Sequence, residues 1–399
     1  MSFVNVRPGS SPPAPAQWIV AIVVLVAAAQ AWALWPFFTP DIGIDYVPWF
    51  NYAVTHGGWR AFATPFGSYS PPYLYLLALA APLKGVLSDA HVIKVVAFVG
   101  MAWLVGSIWQ LLRALKTPHA WRYALCVPAL PSVMLNAGLL GQVDALYVAP
   151  CIMAVAAALE RRHITMFAWC GVAVAFKAQA VLIAPFFLAI AIQRRIPLAQ
   201  WLAAPAALLG MMVPALLAGW PPADLATIYF RQAGTFSNDI ARNAPNIWSL
   251  AGMIAPDFAP RLFGLALATA LGATAWFVAR MQVVRFDKAG LVGMAALAAL
   301  LTAGLLPRMH ERYFMLADML IIAFAIARGT RPAFALAALV QIGSFAAITG
   351  YLGLGPPVVA LGALCMIAAT LIVARPLAIP NANDNPPTGR NPRPAILRP

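Results

Sequence analysis

Long apolar stretches separated by short polar joints make up nearly the whole chain. No Asp, Glu, Lys or Arg occurs in residues 18–38, 123–143, 196–223, 289–307 or 332–374. About 20 apolar residues cross the hydrocarbon of a bilayer as a helix, so these stretches predict membrane spans. By length and charge boundaries about thirteen apolar segments are expected, near 18–38, 71–87, 92–112, 123–140, 143–159, 164–176, 179–192, 198–218, 259–281, 289–306, 313–327, 333–349 and 355–374. Several are short for a full crossing, so the expectation is an all-α, polytopic transmembrane protein with about 11–13 membrane segments. The first segment is too long for the apolar region of a signal peptide and leads into further spans, which predicts an uncleaved first helix.

Residues 1–17 are rich in Pro and Ser, and residues 376–399 combine Pro, Asn and Arg. Neither end has the apolar content to pack. The expected organisation is a disordered cytoplasmic N-terminal tail (1–17), a transmembrane domain (18–375) and a disordered C-terminal tail (376–399). Two joints, 39–70 and 219–258, are too long to be turns, and loops of that size usually carry function or structure of their own.

Composition agrees: 62% of residues are hydrophobic and 10% charged, against about 45–50% and about 25% in soluble domains. The net charge of +14 changes the picture only through its distribution. Lys84 and Lys94, Arg113, Lys116 and Arg122, Arg161 and Arg162, Arg194 and Arg195, Arg285 and Lys288, and Arg328 and Arg331 cluster between apolar runs, the pattern of cytoplasmic loop ends. The basic excess is therefore a topology signal, and no nucleic-acid partner is expected. It puts the joints near 161, 194, 286 and 329 in the cytoplasm and both long loops outside; the low-charge, Pro- and Ala-rich style fits a bacterial inner membrane. One stretch conflicts. If 71–87 and 92–112 both cross, basic residues 113–122 emerge outside, so either one segment is re-entrant or that joint breaks the rule. Cys126, Cys151, Cys170 and Cys365 lie in apolar segments without the close pairing of a zinc or redox motif and read as small buried hydrophobes. No metal and no cofactor is expected.

Against this background the polar exceptions carry information. Only 12 acidic residues occur, and Asp41 and Asp45 stand together just after the first span. Asp144 lies in Gly141-Gln142-Val143-Asp144, Lys177 and Gln179 interrupt an apolar stretch, and Arg308-Met309-His310-Glu311-Arg312-Tyr313 separates two others. All fall at the same outer face. An ionisable group at membrane depth costs at least about 2.5–3.5 kcal/mol and faces a cavity or a partner, so the convergence suggests a site. Plainer readings stand beside this one. Asp144 caps its helix and pairs with Lys177; residues 308–312 form a hydrated turn with Asp318 as internal ion-pair partner; Asp41 and Asp45 are interfacial acids; and Tyr69-Ser70-Pro71-Pro72 is an architectural helix start.

Read in order, the acid after the first helix, the aromatic loop from Asp41 through Tyr46, Pro48 and Trp49 to Gly57, the Tyr-x-Pro-Pro helix start, Gly-Gln-x-Asp, Lys-x-Gln and Met-His-Glu-Arg-Tyr resemble the GT-C type membrane glycosyltransferases. The similarity covers residues 18 to about 328. The last motif looks like the His-Glu-Lys signature of asparagine-linked-pathway glucosyltransferases with Arg312 in place of lysine, and the whole pattern is similar to bacterial mannosyltransferase-like proteins. The resemblance implies an inverting hexosyltransferase of cell-envelope biosynthesis that takes sugar from a polyprenyl-phosphate donor to a lipid or glycan acceptor at the outer face. It implies Asp41 as general base, with Asp45 in reserve, and Arg308, His310 and Arg312 as phosphate ligands assisted by Lys177. Glu311 would orient a cation, and Tyr69, Gln142, Asp144 and Gln179 would support. The chemistry is consistent: a positioned carboxylate assists proton removal, and arginine suits bidentate phosphate contact. The acid pair of protein O-mannosyltransferases and a large soluble domain are both missing, which favours a lipid or glycan acceptor over protein. The alternative is a secondary transporter or a lipid or polysaccharide flippase, because intramembrane charges and broken helices also mark substrate pathways; a third reading is a non-catalytic scaffold. Clustering of the polar motifs at one face, without a match between the two halves, favours the enzyme.

Overall fold

A computed structural model describes residues 15–234 and 239–378. Of the expected tails, residues 1–14 and 379–399 lie outside the described residues, while Gln17 opens the first helix and 376–378 close the last. Among the described residues seven helices are long and apolar enough to cross a membrane: Gln17–Leu34, Asp89–Ala114, Leu198–Ala218, Phe263–Val283, Lys288–Leu305, Arg331–Leu354 and Pro356–Ala378. Shorter apolar helices, Asp144–Leu159, His163–Phe176 and Ala178–Gln193, lie among them. Peripheral helices turn apolar side chains outward. Only 11% of Gln17–Leu34 is buried, with Trp18, Leu25 and Trp32 exposed; such a surface suits lipid, and the chain is an integral membrane protein. Interior helices are buried on nearly every side, as Asp144–Leu159 and Met315–Arg328 are, and being surrounded by protein they need not match the bilayer thickness.

Hydrogen bonds sort the joints onto two faces. On one, Arg122 reaches the Pro15 carbonyl at 3.2 Å, Lys288 the Ala114 carbonyl at 3.0 Å, Arg194 the Ala158 carbonyl at 2.6 Å and Arg280 the Leu377 carbonyl at 2.6 Å. Arg328 pairs with Asp287 at 2.7 Å. These basic clusters thus share one face, with both described chain ends; Lys84 and Lys94, expected with them, lie instead at the opposite face, where Lys84 bonds Asp89 and Lys94 the carbonyls of Leu34 and Trp35 after the first helix. On the other, Thr39 bonds the Leu140 carbonyl at 3.3 Å, Ser70 the Ala175 carbonyl at 2.5 Å and Trp248 the Leu305 carbonyl at 2.6 Å. We call this the site face.

The conflict over residues 71–122 resolves here. Helix Pro71–Leu79 has 9 residues, about 13 Å at 1.5 Å per residue, too short to cross. Both its flanks belong to the site face: Ser70 as above, and Lys84 through Asn51 at 2.5 Å and Asp89 at 2.6 Å. Segment 71–87 is re-entrant, Asp89–Ala114 makes the crossing, and Arg113, Lys116 and Arg122 join the basic face. The return passage is broken into Ala120–Ala124, Val127–Ala129, Pro131–Met134 and Leu135–Leu139, since Pro128 and Pro131 cannot donate a backbone bond inside a helix. Small residues allow close crossings; a Cβ on Gly362 would lie 2.8 Å from the Gly343 carbonyl oxygen.

Candidate functional site

The site is assembled where helix ends meet the two long loops. After Leu34 the chain turns, and the wide turn Ile42–Tyr46 runs into helix Val47–Thr55. Ile42 and Tyr46 are buried, Asp41 is half-buried and Asp45 is exposed. Gln142 Nε2 donates to Asp41 Oδ2 at 2.9 Å, and its Oε1 accepts the Tyr46 hydroxyl at 2.6 Å. The Tyr46 oxygen lies 3.1 Å from that of Tyr69, and the rings of Tyr46, Trp49, Tyr69 and Tyr73 pack together. Gly141 makes this approach possible: its φ is +60°, and a Cβ there would meet Ile42 Cδ1 at 2.7 Å, besides the cost of about 1–2 kcal/mol for a left-handed L-residue. The two acids differ. Partial burial, then the Asp41 carboxylate, push the Asp45 carboxyl up from its ordinary range, whereas Asp41 has a fixed amide donor.

Beside this chain lies a buried ionic cluster. Lys177, extended at the break between His163–Phe176 and Ala178–Ile183, contacts Asp144 Oδ1 at 2.5 Å. Asn136 donates to Asp144 Oδ2 at 2.8 Å, and Arg312 Nε is 3.4 Å from the same oxygen. Arg312 also bonds Glu311 at 2.5 Å, and His310 Nδ1 is 3.7 Å from Glu311. Lys177 lies over Tyr69, Tyr147 and Tyr313, 5.5, 5.9 and 5.3 Å from their ring centres, and Gln179 bonds the Tyr313 hydroxyl at 2.9 Å. Asp144 does not cap its helix; it is shared by two cations. Burial alone would raise Glu311, but Arg312 and then His310 hold it at about 2. Burial outweighs Glu311 at His310 and lowers that imidazole below its ordinary 6.5, so it is neutral at pH 7. Asp318 is not the partner of the 308–312 cations: it is fully buried among Ser132 and Ser344.

The second long loop closes over the first. Strand Ala241–Arg242 pairs in parallel with Met309–His310, the Arg308 N–H donates to the Ile240 carbonyl at 2.7 Å, and Asn246 caps helix Ile247–Ile254. Arg308 is half-buried and stacks over Phe263 at 4.5 Å.

Three residues that the sequence did not single out belong here. Asn136 was hidden in an apolar run. Arg242, paired with Asp239 at 3.0 Å, sits in a loop without a motif. Tyr351, on the wide turn Gly350–Leu354, lies within the field of Asp41, Glu311, Arg312 and Arg242; the Gly-rich interruption Gly350-Tyr351-Leu352-Gly353 was its signal. The arrangement offers a half-exposed, hydrogen-bonded carboxylate next to aromatic rings, N–H donors and neutralised cations. Among the described residues no three His, Cys, Asp or Glu side chains converge as metal ligands would.

A bundle of membrane-crossing helices with its polar cluster under two long loops at one face defines a polytopic protein with a GT-C-type fold. Among solved structures it is similar to the crystal structure of ArnT from Cupriavidus metallidurans bound to undecaprenyl phosphate, with a TM-score of 0.54 and 15% identity over 90% of this chain and 77% of that one. The likeness is one of fold. No family model matches the sequence, and no curated protein does.

Proposed function

We propose that this protein is an integral membrane glycosyltransferase that moves a hexose from a polyprenyl-phosphate donor to a lipid or glycan acceptor. The observation that carries the reading is Asp41: its carboxylate is half-buried, held by Gln142, and shares one membrane face with the cation-bearing segment 308–312. The undecaprenyl phosphate in the ArnT structure supports a lipid-phosphate ligand class for this fold.

In the reaction the acceptor hydroxyl gives its proton to Asp41 while its oxygen attacks the anomeric carbon. The bond from that carbon to the phosphate oxygen breaks on the opposite side, inverting the centre, and the lipid phosphate leaves with the electron pair. Arg308 is the ligand best suited to meet this phosphate, with His310 as a neutral N–H donor. Lys177 and Arg312 already face Asp144 and Glu311; with Tyr69, Gln142, Gln179 and Tyr313 they hold the donor's surroundings rigid. Asp45, its carboxyl raised by partial burial and then by Asp41, is the reserve base. The basic face turns to the cytoplasm by the positive-inside rule, so transfer occurs at the outer face of a bacterial inner membrane, around the transmembrane domain 18–375.

The experiment is transfer of radiolabelled sugar from polyprenyl-phosphate mannose and glucose, separately, in membranes holding the protein or Asp41→Asn. Incorporation that needs Asp41 identifies the enzyme and its sugar. The buried Lys177–Asp144 pair and the broken passage 120–139 also suit a flippase; no incorporation, with labelled lipid crossing reconstituted vesicles, would replace the transferase by that activity.

A further inference from the structure

Away from the site, toward the basic face, a cavity of about 330 Å³ opens between the broken passage and the two helices Met315–Arg328 and Arg331–Thr349. Tyr123, Leu130, Ile322, Ile326 and Phe334 line it, with Gln341 at its inner end bonded to Ser132 at 3.1 Å. Phe334 and Ala338 are exposed, so the cavity faces the lipid side.

Two arginines flank it on the side of the basic face, Arg122, which also reaches the Pro15 carbonyl at 3.2 Å, and Arg331. Phe334, Ala338 and Gln341 recur at helical spacing along one stripe, and Arg331, three residues before Phe334, extends that stripe by one turn toward the basic face. Arg122 precedes Tyr123 and lies over Trp121, an exposed indole of the kind that anchors at the interface. Among the described residues neither Arg122 nor Arg331 has a carboxylate partner, whereas nearby Arg328 is paired with Asp287 at 2.7 Å.

We propose that this cavity is a binding site for an anionic glycerophospholipid, one acyl chain lying between the helices and the phosphodiester meeting Arg122 and Arg331. The apolar walls select hydrocarbon, and the two arginines at headgroup depth select negative charge, as basic pockets between membrane helices do. The site is independent of the transferase reading, which uses the opposite face. It fastens the proline-broken passage, whose backbone bonding is interrupted, to the intact helix Arg331–Thr349.

The test is native mass spectrometry of the purified full chain titrated with phosphatidylglycerol and, separately, phosphatidylcholine of the same acyl chains. Phosphatidylglycerol binds more tightly; Arg122→Ala and Arg331→Ala each weaken it about fivefold, about thirtyfold together, and leave phosphatidylcholine unchanged. Ala338→Trp, which fills the cavity from an exposed position, weakens both. Arg331 is exposed, so its replacement leaves the fold intact and carries the test alone if another variant is lost. Equal binding of the two lipids, or phosphatidylglycerol binding indifferent to the arginine changes, overturns the proposal. So does tighter binding of undecaprenyl phosphate that is lost in the same variants, which would give the cavity to that lipid.

Discussion

The amide of Gln142 donates to Asp41 at 2.9 Å while its carbonyl accepts from Tyr46 at 2.6 Å. A single side chain thereby fixes the carboxylate relative to the aromatic wall. Gln142→Ala removes one hydrogen bond to each neighbour, about 1 kcal/mol apiece, and frees Asp41 to turn. Misplacement of a reacting group by about 1 Å costs on the order of a hundredfold, so turnover falls about tenfold to a hundredfold while donor KM stays near its original value. Steady-state transfer assays decide; equal turnover would mean that Gln142 does not position the base.

Asp144 is shared by two cations, Lys177 at 2.5 Å and Arg312 at 3.4 Å, and is fully buried. Breaking such a pair costs about 3–5 kcal/mol because a charge is left buried alone. Asp144→Leu is expected to destabilise more than Lys177→Met, since Asp144 keeps Arg312 nearby when Lys177 is gone. The double variant recovers part of the stability, because an apolar pair of similar volume needs no compensation. Thermal unfolding of the purified proteins gives the order; a Lys177→Met protein less stable than Asp144→Leu would contradict it.

Much of the fold was legible because lipid demands apolar length: the charge-free runs 18–38, 289–307 and 332–374 all coincide with spans. Depth was not legible. Segment 71–87 is as apolar as its neighbours, and it is long-range contacts such as those of Ser70, Tyr73 and Lys84 that hold it at one face. At the site, Asp41, Gln142, Asp144, Lys177 and Arg312 stood out because ionisable and amide groups are rare in this chain. Their partners did not: Asn136 lies inside an apolar run, and Tyr351 and Arg242 arrive from distant turns. Asp318, beside 308–312 in sequence, points instead to Ser132 and Ser344 because helix Met315–Arg328 packs against Arg331–Thr349, so sequence proximity misled.

Two groups at the site make stability fall with acid, starting from different pH values. Burial lowers His310 below 6.5, so as pH drops through that value the unfolded chain takes up a proton that the folded chain resists, and stability declines. Glu311 is held at about 2 against an ordinary 4.5; its contribution is intact above 4.5 and is lost as pH falls from there toward 2. His310→Gln flattens the decline of the melting temperature that begins near pH 6.5 and leaves the loss between 4.5 and 2. Superimposable melting-temperature profiles for His310→Gln and the parent protein would show that His310 makes no such contribution.

Arg308 and Arg312 separate binding from folding. Arg312 is buried against Glu311 and Asp144, so Arg312→Ala leaves two carboxylates short of a cation and costs about 3–5 kcal/mol of stability. Arg308 is half-buried with φ +61°, a backbone conformation that glycine adopts without strain. Arg308→Gly therefore removes the guanidinium without backbone cost. If Arg308 meets the donor phosphate, losing a charge-assisted hydrogen bond of about 1.5–3 kcal/mol weakens donor binding about tenfold to a hundredfold, and Arg308→Lys restores only part of it because an ammonium lacks the planar fork. Binding of a polyprenyl-phosphate sugar to purified, folded Arg308→Gly protein is the measurement. Affinity equal to that of the parent protein would transfer the phosphate contact from Arg308 to the buried cations, whatever the transfer assay gave.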